Sequence, residues 1–186
     1  MVGAGMVQTR AASTPDLRRA AMDVVVLGCG DVGRSDLAAG VCVARALADR
    51  VPEDVRILAG SIGPTVEPEL DGATHILLID CVDVGRAPGS VVLFDGVSLT
   101  PCIALASIRD PQVAHVLFLA GQHADAPEEI ALLGVQPALT DAGDALSEVI
   151  EAAVPELVGL ALAVLESWLD PSAPPVTARR ARPADC

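Results

Sequence analysis

Four aspartates carry most of the chemistry this sequence offers. Asp31 and Asp36 lie in the run VVVLGCGDVGRSDLAAG (Val24 to Gly40), and Asp80 and Asp83 lie at and just beyond the end of THILLID (Thr74 to Asp80). Carboxylates that converge can hold a divalent metal ion or do general acid–base work, because their oxygens are hard donors that also exchange protons. Asp80 ends an apolar run, the position at which α/β sheets present ligand-facing groups. For the other three there is a plain structural alternative. Asp31 and Asp36 could cap the helix that follows, and Asp83 could simply be solvated.

The first run also contains Gly28, Gly30 and Gly33 as a G-x-G-x-x-G between a strand and a helix, the fingerprint of a dinucleotide site. Such a site needs an acid at the end of the second strand to hold the ribose hydroxyls, and Leu58, Ala59 and Gly60 stand there. A dinucleotide-binding enzyme is therefore the weaker alternative. The three histidines, His75, His115 and His123, show no HxxxH or HExxH spacing, so a zinc protease has no support. His75 begins its strand at the end away from the expected site and reads as structural. No G-x-S-x-G elbow is present. The five cysteines, Cys29, Cys42, Cys81, Cys102 and Cys186, form no CxxC pair and are odd in number, as expected for small thiols in a reduced, cytoplasmic protein.

Holding the aspartates together requires an alternation of strands and helices. Val24 to Leu27, Arg56 to Ala59, Thr74 to Asp80, Ser90 to Asp95 and Ile130 to Val135 read as strands, several with no polar face. Helical spacing runs from Leu37 to Arg50, and Glu67, Glu69 and Leu70 begin another helix. Asp110 and Pro111 start a third that reaches Ala120. The last helix spans Ser147 to Trp168, with Pro155 able to kink or split it. This order specifies an α/β protein: a three-layer α-β-α sandwich around a mostly parallel, doubly wound sheet of about five strands. One domain over residues 22–169 is expected, between disordered tails at 1–21 and 170–186.

The core must be aliphatic, since 52% of the residues are hydrophobic and only 2% aromatic. All twelve basic residues are arginine, and the net charge is −13. Between Met22 and Leu169 six arginines face 22 acids. That body repels nucleic acid and anionic membrane, so neither is expected as a partner. No apolar run reaches the length of a membrane span.

The runs LGCGDVGRSDLAAG, ILLIDCVDVGRAPGSV and LLGVQP resemble, in order and spacing, the landmark motifs of the hydrogenase maturation proteases. Those usually read G-[IV]-G-N-x-L-x-x-D-[DE]-G-x-G, [IV]-D-A-V-D-x-G-x-x-P-G-[ST]-[VI] and G-[VI]-[QE]-P. The resemblance covers about Met22 to Trp168. It implies an endopeptidase, aspartic-type by family grouping, that removes the C-terminal extension of a nickel–iron hydrogenase large-subunit precursor after nickel insertion. It implies no cofactor of the protease's own and a monomeric enzyme. The family recognises the substrate's nickel through an acid of the first motif, the first Asp of the second, and a His before the following helix, a donor set that suits nickel. Asp80 matches the first Asp of the second motif. The acid falls on Leu37, with Asp36 retained before it, and Asp31 replaces the usual Asn. The His aligns with Ser107, or with Pro101 or Cys102 under another gap. The resemblance thus implies Asp80 and Asp36 as catalytic residues, with Asp31, Asp36, Asp83 or a cysteine such as Cys81 able to rebuild a metal site around Asp80. Its alternative is a catalytically impaired paralogue that binds or chaperones a hydrogenase subunit.

Overall fold

Five of the apolar runs pair into one sheet. The computed structural model describes residues 22–61, 69–95, 127–174 and 176. Strands β1 (Val24–Cys29), β2 (Arg56–Gly60), β3 (His75–Cys81), β4 (Val91–Asp95) and β5 (Glu129–Val135) lie in the order β2-β1-β3-β5-β4. Pairing is parallel except at the edge, where β4 runs antiparallel to β5. Two helices are described, α1 (Ala39–Leu47) and α2 (Glu148–Leu169).

Side-chain alternation along the strands explains the two buried faces. Val24, Val26, Leu77, Ile79, Leu93 and Leu133 pack with Ala39, Val43 and Leu47 of α1 and with Ile150, Leu157, Ala161 and Leu165 of α2. The opposite face buries Val25, Leu27, Ile76, Leu78, Phe94 and Leu132. Each such aliphatic side chain taken from water stabilises the fold by about 2 kcal/mol. The observed class is the expected α/β fold.

Three details differ from the sequence expectation. The first helix begins at Ala39 rather than Leu37, because Ser35–Ala38 forms a tighter 3-10 turn, with Ser35 at φ 43°. Helix α2 runs unbroken through Pro155. That proline is exposed, so the missing amide and the ring face solvent instead of the core. Just past α2, Val176 packs against the core, so this part of the expected C-terminal tail is held to the domain. The expected tail at 1–21 lies outside the described residues, as do the Pro111–Ala120 helix, Glu67, Pro101, Cys102, Ser107, His115, His123 and residues 177–186.

Candidate functional site

Parallel order brings the carboxyl ends of β1, β3 and β5 to one edge, and Asp80 stands there. It lies opposite Gly134 of β5 and shares strand parity with Ile76 and Leu78. The residue is only 7% exposed. Its Oδ1 accepts the Cys81 amide at 2.7 Å. Cys81 turns to the α1 side, where its thiol donates to the Asp36 carbonyl at 2.8 Å. Burial, then the charges of Asp80 and Asp36, push this thiol far above its ordinary range. It therefore stays protonated at neutral pH, which disfavours the thiolate that a nucleophile needs.

Asp36 is wholly buried, and its carboxylate is directed at a distant segment. Oδ2 accepts the amides of Ala138 (2.8 Å) and Leu139 (2.7 Å) and the Ser147 hydroxyl (2.9 Å), while Oδ1 accepts the Ser147 amide (2.7 Å). Burial opposes the charge, but the bonds from Ser147, Leu139 and Ala138 outweigh it and hold the carboxyl below its usual range. Four donors engage the carboxylate, three at Oδ2 and one at Oδ1. In this structure the side chain anchors the β5–α2 connection to the first motif.

Asp31 is exposed and folds back on its own loop, with Oδ1 accepting the Gly33 amide at 2.9 Å. Asp83 is exposed and accepts Gln136 Nε2 at 3.1 Å. Among the described residues no group of three or more His, Cys, Asp or Glu could hold a metal ion. Asp31, Asp36 and Asp83 each accept hydrogen bonds from a different segment of the chain. Leu37, at the position of the family's acid, is half-buried in the 3-10 turn.

The glycine-rich loop has been put to another use than cradling phosphate. Gly30 N–H donates to the Gly60 carbonyl (3.2 Å), Ser35 N–H to Gly143 (2.9 Å) and Asp36 N–H to Leu139 (3.3 Å). These three amides, one in the loop and two just after it, are taken up within the chain. What the glycines provide is close approach. A Cβ on Gly40 would run into the carbonyl oxygens of Ile79 and Cys29, and one on Gly28 into Ala44. Helix α1 is thereby pressed onto β1 and β3 directly behind Asp80.

Gln136, in the third motif, has a part that the sequence reading did not assign. It is buried, and its Oε1 accepts the amides of Val84 (2.9 Å) and Arg86 (3.3 Å) while Nε2 holds Asp83. Its own amide donates to Ser90 and its carbonyl accepts Gly89 N–H. The [QE] position of the motif was the available signal. His75 sits at the far end of β3, packed on Trp168 at 5.2 Å and 2.9 Å from Thr74 Oγ1, a structural setting.

Residues 41–164 match the HycI hydrogenase maturation protease family. The hydrogenase expression/formation protein HupM of Azotobacter chroococcum mcd 1 is 32% identical over 149 residues, covering 77% of this chain and 71% of HupM. HoxM of Cupriavidus necator is 27% identical, over 78% of this chain and 75% of its own. In three dimensions the chain is similar to the hydrogenase maturating endopeptidase HybD of E. coli, with a TM-score of 0.72 and 26% identity over 79% of this chain and 94% of that one. The HybD maturation protease of Thermococcus kodakarensis shares the fold, at a TM-score of 0.66 and 22% identity, over 77% of this chain and 99% of that one. Three ordered motifs, one sheet edge that gathers them and a match across residues 41–164 lead to one conclusion: this chain belongs to the hydrogenase maturation protease family.

Proposed function

We propose that the chain is an endopeptidase that removes the C-terminal extension of a nickel–iron hydrogenase large-subunit precursor once nickel has been inserted. The observation that carries this reading is Asp80, a nearly buried carboxylate at the carboxyl edge of β3 in the motif position that the family directs at nickel. Its carboxylate addresses the metal carried by the precursor, so cleavage follows successful insertion and the protease needs no cofactor of its own. Hydrolysis then adds water across one peptide bond of the substrate. The protonated Cys81 thiol takes no nucleophilic part. The enzyme works as a cytoplasmic monomer, without nucleic acid or membrane.

A second reading is favoured by Leu37 together with Asp36. The family's acid is a leucine here, and the neighbouring carboxylate is already engaged by four donors. A protein built this way binds the precursor and cleaves it slowly or not at all. Incubation with nickel-loaded precursor, followed by mass spectrometry of its C-terminus, tests both. The endopeptidase reading expects shortening by the wild type and faster shortening by Leu37→Glu. Binding without shortening by the wild type, with cleavage gained in Leu37→Glu, supports the second reading. A precursor that neither binds nor shortens removes both.

A further inference from the structure

The connection from β3 to β4 leaves Asp80 and returns to the sheet through residues 82–90, and one residue of another strand end holds almost all of it. Gln136 accepts Val84 N–H and Arg86 N–H on a single amide oxygen and donates to Asp83 from its amide nitrogen. Its main chain bonds Gly89 and Ser90, and the residue before it takes the Val82 amide at 2.9 Å. Close packing reinforces these bonds: a Cβ on Gly134 would strike both methyl groups of Val82. Gln136 itself is 7% exposed, so an unmet donor or acceptor on its amide is costly, although Asp83 at the outer end is exposed.

In this chain the amide of Gln136 meets two demands at once, whereas a glutamate, the other residue of the motif at this position, would only accept. One end of the side chain must accept two amides, and the other must donate to a carboxylate three residues beyond Asp80. We propose that Gln136 is a positioning residue for precursor capture: it fixes the 82–90 loop as a lip beside Asp80 and holds the Asp83 carboxylate in place on that lip. The proposal rests on the endopeptidase reading for the identity of what is captured. The lip itself rests only on the hydrogen bonds.

Polarity reversal provides the test. Gln136→Glu keeps the acceptor for Val84 and Arg86 but sets a carboxylate against Asp83. Adding Asp83→Asn restores a hydrogen bond in the opposite direction, with the new amide on the lip as donor. In the full chain, Gln136→Glu is expected to raise KM for nickel-loaded precursor about tenfold with little change in kcat, and to speed amide exchange at Val84 and Arg86. The Gln136→Glu/Asp83→Asn double variant returns KM and exchange to the level of Asp83→Asn alone. A double variant no better than Gln136→Glu overturns the proposal, since general packing would be indifferent to which partner donates. Unchanged KM and exchange in Gln136→Glu also overturn it. A wild type that never processes precursor, with the exchange pattern reversed as described, removes the endopeptidase reading and leaves the clamp standing.

Discussion

Asp36 receives its four hydrogen bonds from residues 102 to 111 positions away along the chain. Three of those donors are main-chain amides, which leave no signature in side-chain identity, and so the sequence suggested a reactive carboxylate where the fold has an anchor. Asp80 was legible for the opposite reason, since its position depends only on the local run HILLID ending in a charge. The anchor has a pH dependence of definite sign. The Asp36 carboxyl is held below the ordinary value of 3.8. It therefore stabilises the fold fully above that value, and the contribution disappears as pH falls through the lower folded-state value. Asp36→Asn turns an amide donor toward donors and should cost about 3 kcal/mol at pH 7 in urea unfolding. The gap to wild type should narrow below about pH 4. A gap independent of pH would mean that the charge is not what the four donors recognise.

At the scale of elements, the strands were legible because each is a short branched-apolar run, and their ends shift by only a residue or so. The edge order and the antiparallel β4 were not, since pairing partners are set by contacts between distant segments. The glycine pattern is ambiguous on its own. Its spacing suits a phosphate loop and equally suits a helix pressed onto two strands, and only the disposition of the amides separates the two. Gly40 tests this packing role. Gly40→Ala places a methyl group against the carbonyls of Ile79 and Cys29, which belong to backbone and cannot swing aside. A loss of about 3 kcal/mol in thermal or urea unfolding is expected, although alanine is the better helix former. A neutral or stabilising effect would show that α1 has room to move off the sheet.

For the whole molecule, one sheet edge gathers three sequence motifs into a single assembly. The first supplies the close-packed turn and the Asp36 anchor, the second supplies Asp80, and the third clamps the lip that follows it. The net charge of −13 favours a partner that brings basic segments and disfavours anionic surfaces. Membership of the hydrogenase maturation proteases was legible from these motifs, because each is short and local and they occur in the family's order. The consequence of Leu37 was not legible, since it depends on whether Asp36 is free to serve, and that is a property of the folded chain. The most direct measurement compares wild type with Asp80→Asn on nickel-loaded large-subunit precursor, reading the precursor's C-terminus by mass spectrometry. The wild type is expected to shorten the precursor, and Asp80→Asn, folded to the same stability, to lose this by at least about a hundredfold. Processing that is undiminished in Asp80→Asn would contradict this expectation.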